Sequence, residues 1–447
     1  MLRIPRLSQL DENLTAKFVV PVALENCFTV FITMAISSVV STISASALAA
    51  IAMSNSIMGV VSALFSVVTI GGGVMVSRHF GAKEYADAAE SIEQSTFLSL
   101  VATVTIAVLA VVLASPLLRL LMPTAEAGMF SEAVRYFRIL MVSLPFLVLH
   151  GVFSGACRGL GNGRMPLITT IAMNLSQLFF AWLCITVLNL NEIGAGIAII
   201  ICRVVGAGIL FHTLMKDRKQ IVLHVRNMFL PKLSICRRIL RVGLPLTVES
   251  LFVQFGYMLA NSMSIALGSF ESAVFQIVNT VYGFACVTHA IFLNISLSAA
   301  GHLLGRKDYK GVKTAGYTLW VIGLIVSSSM ALISIIFGRQ LCGFYTDDPA
   351  TLDACMKVIW IILPMNIVAN ANNITDPPLR AGGDTTYVMV IALITVWMLR
   401  LPLTWLLCFK LNMGVLGVFL ANTLALTFRT IAGMTRFSTN KWMYKKV

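Results

Sequence analysis

The sequence predicts an all-α membrane protein with twelve transmembrane helices in two six-helix lobes. Of its 447 residues, 58% are hydrophobic and only 12% are charged, whereas soluble domains contain about 25% charged residues. Apolar runs of about 20 residues, the length that spans a bilayer as a helix, recur along the chain. A Pro-x-x-x-Glu motif occurs at residues 21–25 and again, half the chain later, at residues 245–249. These observations predict the fold class and its division into halves.

The apolar runs separate into twelve predicted spans. Long alternation of polar and apolar residues, the pattern of transmembrane β-strands, does not occur in the sequence. We interpret the first run as a retained helix, because no small-residue cleavage site follows a short apolar core. The predicted spans are 17–40, 47–77, 94–117, 134–156, 166–188, 193–215, 239–265, 271–299, 314–337, 354–376, 386–408 and 413–435.

The basic residues predict the orientation of these spans. The net charge is +14, and most Lys and Arg lie at the termini and in alternate loops, which is typical of cytoplasmic segments. We therefore expect a multi-pass plasma-membrane protein with both termini in the cytoplasm. A nucleic-acid partner is not expected, because no basic stretch is interleaved with aromatic residues. The basic loops are 78–93, 157–165, 216–238, 300–313 and 377–385.

Two further motif pairs indicate an internal duplication. GAKEY at 81–85 matches GRKDY at 305–309, with the same separation as the Pro-x-x-x-Glu pair. RGLGNGRMP at 158–166 matches RAGGDTTYV at 380–388, with a slightly shorter separation. Six spans per half return the chain to the same side of the membrane, so the repeats are parallel.

This duplication predicts an N-lobe at 1–228 and a C-lobe at 229–447. The basic segment 215–241 separates them, and we interpret it as the inter-lobe linker. Its Lys and Arg side chains could contact anionic lipid, although a signal for orientation is the favoured interpretation.

The composition favours an ion gradient as the energy source. The nine cysteines are scattered and none forms a C-x-x-C pair, so neither a disulfide framework nor a metal site is implied. The glycine-rich stretch 158–164 has no Walker spacing and is explained by a turn between spans. We expect no cofactor apart from a coupling ion, H⁺ or Na⁺.

The motifs resemble those of the multidrug and toxic compound extrusion (MATE) transporters over nearly the whole chain. They are GAKEY after the second span, RGLGNGRMP after the fourth, LRAGGDTT after the tenth, LRLPLTWLL in the eleventh, and the terminal RFSTNKW. The resemblance implies two six-helix lobes around a central cavity. It also implies alternating access and H⁺- or Na⁺-driven export of amphipathic, often cationic drugs and toxic organic compounds.

Several acidic positions of this family are not matched here. The stretch corresponding to the first-span Asp is 34–38, which contains no acid. Asn174 matches a fifth-span Asn, but one turn later the chain has Gln177 instead of Asp. The seventh- and tenth-span positions are occupied by Gln254 and Asn370. The resemblance therefore implies the branch of the family that has a Glu four residues after the span-1 and span-7 prolines.

Glu25 and Glu249 are the first candidate ion sites. A lone charged carboxylate inside a span costs about 2.5–3.5 kcal/mol on insertion scales, and two at equivalent places in a repeat suggest a role. Facing a water-filled cavity, either could exchange a proton. The alternative is a protonated Glu that is hydrogen-bonded across its lobe and holds helices together.

Other polar side chains within the spans are further candidates for substrate or ion binding. Amides can bind a substrate or a cation, but they also join helices. Arg203 and Arg400 are interpreted as the intramembrane cations, and a structural pairing within the C-lobe is favoured for Arg400. Asp376 and Arg380, four residues apart, predict a pair at a helix end. The further candidates are Asn174, Gln177, Asn279, His289, Asn366 and Arg400.

The predicted function is a cation-coupled antiporter, and two alternatives stay open. A flippase for lipid-linked saccharides of the same superfamily would require a strongly cationic cavity. A membrane-embedded enzyme is less favoured, because no His/Asp/Glu or Ser/Lys grouping occurs near an interface. The expected partners are a small organic substrate and membrane lipid, and the expected state is a monomer.

Overall fold

The computed structural model describes residues 36, 45–121, 127–216, 222–346, 348–439 and 441–444. Glu25 and, except for residue 36, the predicted span 17–40 lie outside these residues. Every secondary-structure element of the described residues is a helix, so the all-α prediction is confirmed for this part of the chain. The described residues divide into two compact units between Thr247 and Val248, and we call them the N-terminal and C-terminal units.

The described part of the N-terminal unit contains eight helices and the start of a ninth. The helices are α1 (Ala45–Leu64), α2 (Ser66–Gly81), α3 (Tyr85–Val112), α4 (Ala114–Leu121), α5 (Ala127–Val142), α6 (Leu144–Gly159), α7 (Arg164–Trp182), α8 (Asn191–Lys216) and α9 (Leu233–Ala266). A π-helical segment, Leu183–Val187, extends α7, and a 3₁₀ turn, Val225–Phe229, precedes α9.

The described part of the C-terminal unit contains the rest of α9 and nine further helices. They are α10 (Ser269–Ala285), α11 (Val287–Gly305), α12 (Tyr309–Ile336), α13 (Gly338–Gly343), α14 (Pro349–Ile359), α15 (Ile362–Ala381), α16 (Thr385–Leu393), α17 (Leu401–Trp405) and α18 (Gly414–Ser438). Two π-helical segments, Ile394–Arg400 and Leu406–Lys410, flank α17, and a 3₁₀ turn, Lys441–Tyr444, ends the described chain.

Within the described residues, nine helical stretches are long and apolar enough to cross a membrane. The tenth predicted span, 354–376, corresponds to α14 and α15, which are bent by 49° relative to each other. The eighth, 271–299, is broken at Cys286, where α10 ends and α11 begins. The described part of the chain thus contains nine candidate spans, or ten if the bent pair is one span, and the predicted eighth span is divided between two helices.

Each unit is built around a central helix of its own. In the N-terminal unit, α6 packs against α2, α3 and α8. In the C-terminal unit, α15 packs against α11, α12 and α18. These are corresponding spans of the two predicted repeats, so the packing follows the duplication that the motifs indicate.

The repeated motifs also share their backbone conformation. Lys83 and Lys307, which occupy the same place in GAKEY and GRKDY, both have positive φ, at 65° and 59°. Gly161 and Gly383 have φ of 85° and 82°. Non-glycine residues seldom adopt this left-handed region, so its recurrence at equivalent positions reflects the same tight turn in each half.

One close contact in the N-terminal unit joins α2 to α9. A Cβ placed on Gly243 would lie 2.2 Å from the Val67 carbonyl oxygen, and one on Gly71 would lie 3.0 Å from the Ile239 oxygen. Small residues permit such backbone approach between membrane helices, where dispersion replaces the hydrophobic effect as the force between them.

The segment that precedes α9 is fixed to α3 by the buried side chain of Gln94. Its Nε2 donates to the carbonyl oxygens of Leu230 and Asn227, at 3.0 and 3.3 Å. Its Oε1 accepts from the backbone N–H of Lys232 at 2.8 Å. Glu93 accepts from the His224 N–H at 2.6 Å. The described end of the predicted linker is therefore held to the N-terminal unit.

Candidate functional site

Glu249 lies on α9 in the C-terminal unit and is 5% exposed. Its Oε1 accepts hydrogen bonds from Nη2 of Arg429 at 2.6 Å and from Nη2 of Arg380 at 3.0 Å. The expectation of a lone carboxylate is therefore wrong for Glu249. A carboxylate held by two guanidinium groups joins α9 to α15 and α18 by charge-assisted hydrogen bonds.

Asp376 completes this arrangement. Its Oδ2 accepts from Nε and Nη2 of Arg429, at 3.1 and 2.6 Å. The predicted helix-end pair between Asp376 and Arg380 is not formed, since Arg380 turns to Glu249 instead. We call Glu249, Asp376, Arg380 and Arg429 the charge cluster. Two carboxylates and two guanidinium groups balance formally, which is the condition under which buried charges are tolerated.

Arg429 was missed by sequence reasoning, which counted only Arg203 and Arg400 as intramembrane cations. It lies well inside α18, a largely apolar helix of 25 residues. An arginine in such a run is itself a signal of a buried partner. The partner could not be named from the sequence, because Arg429 is 53 and 180 residues away from Asp376 and Glu249.

A cavity of about 400 Å³ lies within the C-terminal unit. Of the candidate residues, Asn279 and Arg400 line it. Side chains with amides and aromatic rings dominate the wall, and Asp and Glu are absent from its described lining. These residues are Gln254, Asn261, Gln276, Asn279 and Asn422 among the amides, and Tyr257, Phe275, Tyr282 and Phe419 among the aromatics. Such a wall suits a small amphipathic molecule.

Arg400 is the charged residue of the described lining and is 6% exposed. It ends a π-helical segment that immediately precedes Leu401 and Pro402. Because Pro402 has no N–H, it cannot continue the regular α-helical bonding to the preceding turn. The guanidinium carbon lies 4.1 Å from the centroid of the Tyr257 ring. The favoured ion pairing of Arg400 within the C-lobe is not found among the described residues, and a cation–π contact takes its place.

His289 and Asn366 lie together and do not line the cavity, although the His289 ring centroid is 6.4 Å from that of Tyr282, which does. Asn366 is fully buried, contacts His289 and donates from Nδ2 to the Ser327 carbonyl oxygen at 2.8 Å. Asn366 Oδ1 and His289 Nε2 are buried atoms without a hydrogen-bond partner among the described residues. The structure therefore brings together one pair of the candidates that the sequence left separate.

Asn174 and Gln177 lie on α7 in the N-terminal unit. Gln177 Oε1 accepts from the Cys202 thiol at 3.7 Å, and the buried Asn174 Nδ2 has no partner among the described residues. Arg203, on α8, donates to the Ser143 hydroxyl. These contacts join neighbouring helices, as expected of polar side chains within spans.

One group of side chains has the atoms of a metal site. The ligand atoms of His79, Glu84 and Asp87 lie within 4.8 Å of one another at the α2–α3 turn. The His79–Glu84 contact is 2.8 Å, and both carboxylates are exposed. An exposed ion pair accounts for this group, and we assign no metal to it.

Comparisons with known proteins give the family. The MatE family model matches residues 21–183 and again residues 245–406, which together form more than half of the chain. The "Probable multidrug resistance protein NorM" of Thermotoga maritima is 24% identical over 441 residues, 96% of this chain and 93% of the relative. "Protein DETOXIFICATION 43" of Arabidopsis thaliana is 25% identical over 70% of this chain and 58% of the relative.

Solved structures give the same fold. The outward-facing conformation of a multidrug resistance MATE family transporter superposes with a TM-score of 0.88 at 18% identity, covering 96% of both chains. A crystal structure of MATE in the bent conformation gives 0.86 at 19% identity, again over 96% of each chain. The two matches of the family model, one in each half, agree with the predicted repeat. The chain belongs to the multidrug and toxic compound extrusion family of membrane transporters.

Proposed function

We propose that this chain is a cation-coupled secondary antiporter that exports amphipathic, often cationic organic compounds by alternating access. The cavity within the C-terminal unit carries this proposal. Its volume falls within the range of small-molecule sites. Amides provide hydrogen bonds, and aromatic rings and two methionines provide an adaptable apolar wall. Relatives named as probable multidrug resistance proteins support export as the direction of transport.

The charge cluster suggests how an ion would be coupled to this transport. A proton or Na⁺ at the Glu249 carboxylate competes with Arg380 and Arg429, which are carried by α15 and α18. Binding of the ion therefore weakens the attachment of α9 to two helices at once. A ligand shifts a conformational equilibrium by its differential affinity for the two states, and this competition would provide that difference. Glu25 is the equivalent candidate in the other repeat.

We further propose that the protein lies in the plasma membrane with both termini in the cytoplasm. The prediction can be checked with single cysteines introduced by Arg306→Cys and Leu411→Cys, both exposed positions in different loops. A membrane-impermeant thiol reagent added to intact cells should label Leu411→Cys and not Arg306→Cys, because basic loops remain inside. Labelling of both positions in intact cells would contradict the topology.

The coupling ion can be identified in inverted membrane vesicles. We expect dye or drug accumulation when either a proton gradient or a Na⁺ gradient, imposed separately, is directed outward from the vesicle lumen. The expected signal is several-fold above vesicles without the protein, and it should collapse with the ionophore for the coupling ion alone. No accumulation with either gradient would refute ion-coupled export. Conversion of the compound by detergent-solubilised protein, which has no compartments, would support an enzyme instead.

A further inference from the structure

Arg400 differs from the two arginines of the charge cluster. Arg380 and Arg429 each hold a carboxylate, whereas no carboxylate of the described residues lies within ion-pair distance of Arg400. Its Nε is buried without a hydrogen-bond partner among the described residues. The contact with the Tyr257 ring offsets part of the free-energy cost of removing the guanidinium group from water. That group has five N–H donors, however, and the face of an aromatic ring cannot satisfy them all.

The placement of Arg400 is that of a ligand-binding group. Its side chain lines the cavity, together with the amides of Asn279 and Gln254. Tyr257 covers the guanidinium group, whose central carbon lies 4.1 Å from the ring centroid. Stacking fixes the plane of a guanidinium group and leaves its edge available for a bidentate contact with a carboxylate. Burying a guanidinium group without a counter-charge costs free energy. An anion bound in the cavity would supply that counter-charge.

We propose that this cavity binds the anionic group of an amphipathic organic molecule, a carboxylate or its equivalent, and that Arg400 is the residue that binds it. The inference rests on the proposed export function and takes its cavity as the site, but it replaces the often cationic substrates named there with organic anions and zwitterions. Phe275 and Phe419, whose ring centroids are 5.4 Å apart, would contact the apolar body of the ligand. A cationic group in the cavity would be repelled by Arg400, and the described lining contains no Asp or Glu that could attract it. The site thus selects organic anions and zwitterions that present their negative end to Arg400.

The inference can be tested by binding to the purified full-length protein in detergent, with three probes of one shape. They are 2-naphthoate, 2-naphthamide and 2-naphthylmethylammonium, measured by equilibrium dialysis in chloride-free buffer against empty micelles. We expect naphthoate to bind at least about ten-fold more tightly than the amide, since a hydrogen bond to a charged group has this magnitude. The ammonium probe should bind more weakly than either.

Variants of Arg400 assign the preference to this residue. Arg400→Gln should lower naphthoate affinity by about ten-fold or more and leave naphthamide within about two-fold. Arg400→Lys retains the charge without the planar fork, so an intermediate affinity is expected. Arg339→Gln removes an equal charge from an exposed position and should leave all three probes unchanged.

Three results would overturn the inference. Equal affinity for naphthoate and naphthamide in the unmodified protein would do so even if Arg400→Gln fails to fold. Persistence of the preference in Arg400→Gln would assign it elsewhere, and loss of the preference in chloride would indicate a site for small inorganic anions. Failure of this inference and failure of the proposed export function give different results. Gradient-driven export without anion preference would leave the proposed function intact, and anion preference without export would leave this site intact.

Discussion

Glu249→Gln is expected to destabilise the protein strongly, because it removes the carboxylate that Arg380 binds and leaves Arg429 with Asp376 alone. Breaking a buried ion pair from one side costs about 3–5 kcal/mol. In a domain of this size that free energy corresponds to a fall in apparent melting temperature on the order of 10 °C. Thermal unfolding of the purified protein, followed by circular dichroism in detergent, measures the shift.

A second substitution tests whether the imbalance of charge causes the loss of stability. Glu249→Gln with Arg380→Gln removes one charge of each sign, so we expect it to recover part of the lost stability, a coupling that a double-mutant cycle quantifies. Asp353→Asn removes a carboxylate from an exposed pair whose N···O distance is 4.0 Å and should change stability by less than about 1 kcal/mol. An unchanged melting temperature in Glu249→Gln would show that the cluster contributes little.

Transport by the double variant distinguishes the two roles of Glu249. If the glutamate only joins helices, restored stability should bring restored export. If it also exchanges the coupling ion, the double variant should be stable and yet lose gradient-driven export. Parent-level export by Glu249→Gln across the pH range would exclude Glu249 as the coupling site.

Gly243→Ala is expected to disrupt the packing of α2 against α9 in the N-terminal unit. The new methyl group would lie 2.2 Å from the Val67 carbonyl oxygen, far inside contact distance. Backbone atoms cannot rotate aside as a side chain can, so the helices must separate, at a cost of about 3 kcal/mol or more. The yield of monodisperse protein after detergent extraction and the apparent melting temperature should both fall.

Gly208→Ala is the matched control for this substitution. Gly208 lies within α8 of the same unit, and no atom lies within 4 Å of a Cβ placed there. Alanine is favoured over glycine inside a helix by roughly 0.5–1 kcal/mol, so this variant should be as stable as the parent or slightly more stable. Equal stability of the two variants would contradict the close approach at Gly243.

The sequence predicted the repeat correctly because each half must form the same local backbone. The turns at Lys83 and Lys307 have matching residues and matching φ, and such local requirements are visible in a linear pattern. The break at Cys286 could not be predicted, since the apolar run continues across it without proline, and the nearest glycine, Gly283, is itself helical within α10. Interruption there depends on packing, which composition does not encode.

The candidate site was predicted in part for a similar reason. Glu249 and Arg400 were singled out because charges in apolar runs are rare, and both are buried in polar surroundings. Their environments were not predictable. The pairing of Glu249 with Arg429 depends on contacts across 180 residues of chain, and the lack of a described acid beside Arg400 is a property of the assembled cavity.

The residues before α9 and the proline inside it determine how this helix begins and where its backbone hydrogen bonding is interrupted. Gln94 holds the residues just before α9 to α3 by hydrogen bonds. The boundary between the compact units falls just after Pro245, which lies inside α9. Proline removes one hydrogen bond from the ladder at that turn. The boundary between the units therefore falls inside a continuous helix, next to a turn that lacks one backbone hydrogen bond.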